Sequence, residues 1–225
     1  MKSHLPTSKI IEVVKREDRS IETFDHWKNC QDCQNRIKEK KKQNIIYNQT
    51  ENDVTTEYSH IIYLDNFNPI QIHCSDRGVL SITTHMADQP TSHNVYAGEE
   101  NKIFEFFRKV KKYINNLLSG KKTLFKKIDP SLIETDFQKE TLFWTSLIPF
   151  GCTTNYGKIA DWMGHNSSQA IGQALKNNPL PLIIPCHRVV RKDGSATDYA
   201  LGKDFKQKLL AKEPRNQKST AKVIA

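Results

Sequence analysis

Long apolar runs are missing from this chain. Nowhere in its 225 residues does a hydrophobic stretch approach the roughly 18 residues that a membrane span requires. The opening MKSHLPTSKIIEVVKRED likewise lacks the continuous apolar core of a secretory leader. The expectation is an intracellular protein with no membrane role, nuclear in a eukaryote and cytoplasmic in a bacterium. Cysteine is sparse and odd in number, with Cys30, Cys33, Cys74, Cys152 and Cys186. Such a set argues against a secreted disulfide framework and for reduced thiols, any of which is open to chemical use. Hydrophobic residues make up only 37% of the chain, so a core is affordable only if part of the sequence stays outside it.

Acidic residues are outnumbered, and the imbalance is uneven. Residues 1–57 carry 11 basic and 10 acidic side chains, 58–133 carry 10 and 7, and 134–225 carry 13 and 8, within a net charge of +9. The positive field is strongest toward the C-terminus. That fits a phosphate-rich partner, and charge alone fits a solvated lysine surface equally well.

The first 57 residues mix charges densely, include KEKKK at 38–42, and lack a sustained apolar period. They read as a largely disordered extension with some helical tendency. From Tyr58 the texture changes. HIIYL (60–64), PIQIHC (69–74) and GVLSITTH (78–85) are short β-branched runs separated by DNFN and SDRG turns, which predicts a β-meander. Residues 99–118 place Ile103, Phe106, Phe107, Val110, Ile114, Leu117 and Leu118 at helical spacing, with Gly120 closing the segment. A further helix is expected near 135–147, after a boundary close to Leu132. Beyond it, NYGKIADWMG (155–164) and SSQAIGQALKNN (167–178) predict two short helices joined by a tight turn, either a helix-turn-helix or a plain helical hairpin in the core. Pro179 stops the second at Asn178.

The stretch PLPLIIPCHRVVRKDG (179–194) puts a thiol and an imidazole side by side at the end of an apolar run. An ordinary thiol, with a pKa near 8.5, is only about 3% thiolate at pH 7, so a nucleophilic cysteine needs help from its surroundings. His187 offers a base, and Arg188 and Arg191 offer positive charge. The pair taken alone is equally a small buried hydrophobe beside a core histidine.

The surrounding residues narrow this. NPLPLIIPCHRVV (178–190) resembles the signature of the O6-alkylguanine-DNA alkyltransferases, also called methylated-DNA–protein-cysteine methyltransferases. The resemblance continues upstream through FQKETLFWTSLIPFGCTTNYGKIADWMG and downstream through DYALGKDFKQKLLAKE, and covers roughly residues 58–213. It implies an α+β fold: a ribonuclease-H-like N-terminal domain (58–133) of antiparallel sheet plus helix, then a mainly helical DNA-binding and active-site domain (134–213) with a helix-turn-helix. The extension 1–57 and a basic tail 214–225 flank them. It further implies single-turnover transfer of an alkyl group from O6 of guanine to Cys186, leaving O4 of thymine open as a second donor. His187 would act on the thiol through a water, Glu213 would orient the imidazole, and Tyr156 would donate to N3 of the purine. Val189, Ala200 and the Cys186 backbone would contact the guanine edge, with Tyr199 as a wall and Asn178 as a hinge. The second helix would enter the minor groove of double-stranded DNA on small side chains, Ser167, Ser168, Ala170 and Gly172, with Lys176 and Arg188 on the DNA side. The protein would act as a monomer without a cofactor.

Two residues depart from that pattern. Gln169 stands where the family has an intercalating arginine, which predicts weaker action on duplex DNA. Leu201 stands where many members have glycine, and is expected to narrow the slot. His26, Cys30 and Cys33 form H-x3-C-x-x-C, half of a zinc pattern that also arises by chance. Some family members hold a structural zinc in the N-terminal domain, but their ligand positions do not match this chain around Cys74 and Ser75. Two other functions remain open: a non-reacting lesion binder, against which Cys186 argues, and a transcription regulator built on the helix-turn-helix.

Overall fold

The computed structural model describes Phe24, His26 and residues 28–43, 57–84 and 100–214. The basic tail and most of the N-terminal extension lie outside the described residues. Within them no helix is long and apolar enough to cross a membrane.

The meander forms as the turn signals predict. Strands β1 (Glu57–Leu64), β2 (Phe67–Ser75) and β3 (Gly78–Thr84) pair antiparallel in sequence order. Ile62 lies opposite Ile70, and Ile72 opposite Ile82, so one face of the sheet is a band of buried β-branched side chains. Helix α2 (Glu100–Leu118) covers that band with Phe107, Val110, Ile114 and Leu117, all buried. After α2 the chain returns to the sheet, where Val79 donates to the Lys127 carbonyl and Asp129 donates to that of Val79. Gly78 is forced by this approach: with φ at +154°, a Cβ there would sit 2.6 Å from the Lys127 carbonyl carbon.

The second half is helical. Thr135 caps α3 (Asp136–Ser146), whose last six residues, Thr141 to Ser146, are all buried. Helices α4 (Tyr156–Met163) and α5 (Ser168–Lys176) pack on it, capped by Asn155 and Ser167. Gly164 ends α4 in the left-handed conformation at φ 75°. Trp144 and Trp162, both fully buried, meet with ring centroids 6.2 Å apart and fix α3 against α4. Helix α6 (Lys203–Lys212) closes the chain.

Two contacts join the halves where it matters for the site. Ile82 on β3 donates to the Pro179 carbonyl, and the Tyr113 hydroxyl on α2 donates to the Leu182 carbonyl at 3.0 Å. Leu182 has φ 74°, a left-handed conformation that costs a branched residue free energy unless its surroundings impose it. Tyr113 supplies part of that constraint.

Part of the segment read as a disordered extension is folded. Residues 31–43 form helix α1 (Gln31–Gln43), and Phe24, Cys33 and Ile37 are buried in the main core. The charge-rich composition hid this because α1 needs only one narrow apolar stripe.

Candidate active site

The apolar run Leu180–Ile184 is wholly buried and delivers Pro185 to a single 3-10 turn, Cys186–Arg188. Two-residue strands β4 (Thr154–Asn155) and β5 (Val189–Val190) then pair in parallel, Thr154 with Val189. That pairing sets Tyr156, the first residue of α4, beside the turn carrying the thiol.

Cys186 is 4% exposed. Asn178 donates from Nδ2 to Sγ at 3.1 Å and to the Ile184 carbonyl at 3.3 Å, while its Oδ1 accepts from the Leu180 amide. One asparagine at the end of α5 thus holds both the loop and the sulfur. Burial pushes the Cys186 thiol up to about 11, against the Asn178 hydrogen bond and the nearby Lys206 charge, which favour thiolate. At rest the group is a neutral thiol.

His187 is completely buried, with Nε2 2.9 Å from Glu213 Oε1. Burial works against ionisation of Glu213, yet the His187 hydrogen bond and the Arg188 charge outweigh it and hold the carboxyl at about 2. An ionised carboxylate only accepts, so Nε2 of His187 carries the proton. Burial also lowers the His187 pKa, so the ring is neutral at pH 7 and Nδ1 is an unprotonated, basic nitrogen. That Nδ1 is buried without a protein partner. Glu213 accepts, besides, from the Gly151 amide at 3.0 Å.

Arg188 corrects the sequence-based reading. Expected on the DNA side, it is 6% exposed, with its guanidinium on both Glu213 oxygens at 2.8 to 3.1 Å and on the Ile148 carbonyl at 2.8 Å. A guanidinium committed this way reaches no phosphate. It serves the site by charge on Glu213, while the cation that favours Cys186 thiolate is Lys206 rather than Arg188 or Arg191.

Lys206 lies within the stretch DYALGKDFKQKLLAKE, but the sequence reading gives it no role. It is 1% exposed and donates from Nζ to the Val189 carbonyl at 2.7 Å and to Thr197 Oγ1 at 3.0 Å. Burial lowers its pKa to about 8, and the nearby Asp198 charge opposes that shift. Thr197 Oγ1 in turn hydrogen-bonds the Tyr156 hydroxyl. Burial raises the Tyr156 pKa, so the phenol stays protonated. Periodicity is one signal for it: Lys206 precedes Leu209 by three residues on the face of α6 that Phe205 and Leu209 bury.

The other expected residues fall around this centre. The Tyr199 ring stands edge-on to His187 at 6.2 Å, Val189 is buried on β5, and Ala200 is exposed. On α5, Ser167, Ser168, Gln169 and Lys176 are exposed, and Ala170 and Gly172 are half-buried. A Cβ on Gly172 would lie 3.9 Å from the Tyr156 ring, an ordinary contact, so packing does not demand glycine there. Leu201 is buried in the core cluster together with Phe205 and Leu209.

Comparison with known proteins gives the chain its relatives. Residues 136–215 match the family described as 6-O-methylguanine DNA methyltransferase, DNA binding domain. The chain is 42% identical over 121 residues to a Methanosarcina barkeri protein named methylated-DNA–protein-cysteine methyltransferase, spanning 52% of this chain and 73% of the relative. A protein of the same name from Methanocaldococcus jannaschii is 48% identical over 84 residues, 37% of this chain and 49% of that one. Among solved structures, the Mycobacterium tuberculosis O6-methylguanine methyltransferase is similar with a TM-score of 0.55 at 27% identity, over 70% of this chain and 92% of the other. Its counterpart described as OGT in complex with DNA is similar with a TM-score of 0.55 at 25% identity, over 70% and 95%.

Proposed function

Because the chain belongs to the methylated-DNA–protein-cysteine methyltransferase family, we propose that Cys186 accepts an alkyl group, methyl above all, from O6 of guanine in double-stranded DNA, once per protein molecule. The observation that carries this reading is the orientation of His187: Nε2 is occupied by an ionised Glu213, and Nδ1 is left basic, buried and without a protein partner. An unsatisfied buried nitrogen costs about 1–3 kcal/mol, which a bridging water offsets. Such a water links Nδ1 to the Cys186 thiol.

In the reaction the S–H proton passes through that water to His187 Nδ1, and Sγ forms a C–S bond to the alkyl carbon. The C–O6 bond breaks with its electron pair on oxygen, and the purine takes up one proton to become guanine. His187 returns its proton to solvent, so the sum is thiol plus O6-alkylguanine giving thioether plus guanine. Tyr156, held protonated and oriented through Thr197 and Lys206, donates a hydrogen bond to N3 as charge spreads into the ring. Nothing regenerates the thiol, which makes the protein single-turnover.

The target base must leave the duplex to meet a buried sulfur. We assign that task to the helix-turn-helix α4–α5, with α5 in the minor groove on Ser167, Ser168, Ala170 and Gly172, Lys176 at a phosphate and Gln169 in the gap left by the base. Residues 58–133 and 134–213 form the two domains, the first bracing the loop at Leu182, and the protein works as a monomer.

Intact-mass spectrometry after incubation with an oligonucleotide containing O6-methylguanine tests this reading. One methyl mass on the Cys186 peptide, missing in Cys186→Ala, is expected. Tight binding to the lesion without mass gain would instead make the chain a lesion binder.

A further inference from the structure

We infer that His26, Cys30 and Cys33 form a structural zinc(II) site that staples the turn ending at Cys30 to the start of α1. Their ligating atoms all lie within 4.8 Å of one another, and His26 Nε2 is 3.2 Å from Cys33 Sγ. With Zn–S near 2.3 Å and Zn–N near 2.0–2.1 Å, a tetrahedral ion sets its ligand atoms about 3.6–3.8 Å apart. The three groups are therefore gathered to within about 1 Å of coordinating separation. One imidazole and two thiols, once deprotonated, suit zinc and disfavour the hard cations that prefer oxygen. This is the one such group among the described residues, and water fills the ion's fourth position.

The local backbone explains the convergence. Lys28 donates to the Phe24 carbonyl and Asn29 to that of His26, making one turn, and Gln34 donates to the Cys30 carbonyl as α1 begins. Spacings of four and three residues across that turn bring all three ligands to one side.

The turn also needs a staple. Of the thirteen residues of α1 only Cys33 and Ile37 are apolar, and a helix that short is marginal without tertiary support. Its docking runs through the cluster. Phe24 packs edge-on to Trp162 of α4 at 6.1 Å, and Trp162 Nε1 donates to the Lys28 carbonyl at 3.4 Å. Farther along α1, Lys38 Nζ lies 3.5 Å from where a Cβ on Gly164 would stand, in the turn between α4 and α5. Coordination energy is folding energy in a site of this kind, so the ion fixes α1 to the turn that docks on Trp162.

The site lies outside the alkyl-transfer machinery, and its test separates the two. The full chain, purified without chelator, is expected to hold one zinc by elemental analysis, with Cys30 and Cys33 protected from maleimide labelling until zinc is chelated. Cys186→Ala should keep that zinc, and Cys30→Ser/Cys33→Ser should lose it while still accepting a methyl group at Cys186. Cadmium-113 NMR of the cadmium-loaded wild-type chain needs no variant and should report two thiolates on the metal. A chain that takes up no zinc, a Cys30–Cys33 disulfide in the freshly purified protein, zinc retained in the double variant, or an oxygen-only cadmium signal would each overturn the inference.

Discussion

Replacing Glu213 by glutamine separates the structural from the chemical role of the buried charge cluster. The carboxylate accepts from His187, Arg188 and the Gly151 amide, and Glu213, Arg188 and His187 are 4%, 6% and 0% exposed. Glu213→Gln leaves the Arg188 cation desolvated, with the Ile148 carbonyl as its remaining strong acceptor. Breaking one side of a buried pair costs about 3–5 kcal/mol. For a folded unit of this size that is a fall in Tm of roughly 6–20 °C. The sign of the pH dependence follows from the Glu213 pKa, which folding lowers to about 2 from an ordinary value near 4.3. A group with a lowered folded pKa stabilises above its unfolded value and loses that contribution as pH falls toward the folded one. The stability gap between wild type and Glu213→Gln should thus be full at pH 6–7 and close between about pH 4 and 2. Urea denaturation at several pH values measures it. Adding Arg188→Met removes the stranded cation and should recover most of the lost stability, because removing both charges of a buried pair is close to neutral. Alkyl transfer should not recover, since His187 still lacks its carboxylate, and a loss of about 100-fold or more is expected in both variants. If the double variant transferred methyl groups at the wild-type rate, Glu213 would be scaffolding only and the relay would be wrong.

Two further substitutions probe the nucleophile and the DNA side. Lys206→Met removes the cation that favours Cys186 thiolate. Labelling of Cys186 by iodoacetamide should shift to higher pH and slow by about tenfold at pH 7, where Lys206 is charged, the effect of about 1.4 kcal/mol; an unchanged profile would remove Lys206 from the site. Gln169→Arg should raise the repair rate on duplex DNA by about tenfold, within the 1–3 kcal/mol that stacking on a base supplies. Reaction with free O6-benzylguanine should stay the same, and equal rates on duplex for both proteins would refute the intercalating role.

How much of this was legible follows from which forces act locally. The meander, α2 and the two short helices were readable to within about three residues, because turn residues, caps and apolar periods are encoded over a few neighbours. The thiol, the imidazole and the distant glutamate were readable only through resemblance, since 26 residues separate His187 from Glu213 and no local rule pairs them. Arg188 reads as exposed because it stands in a basic stretch. Its burial depends on a carboxylate that arrives from the far end of α6. Lys206 hides in the same way, as one lysine in a lysine-rich helix, although its place between Phe205 and Leu209 marks the buried face. α1 was lost to composition. The protonation state of the site follows the same logic, because burial raises the thiol and lowers the imidazole, and both depend on the assembled core. On the proposed reading that resting state is useful. A protein that reacts once gains by keeping Cys186 a protonated thiol, inert toward passing electrophiles, until a base fills the slot and the neutral His187 draws the proton away.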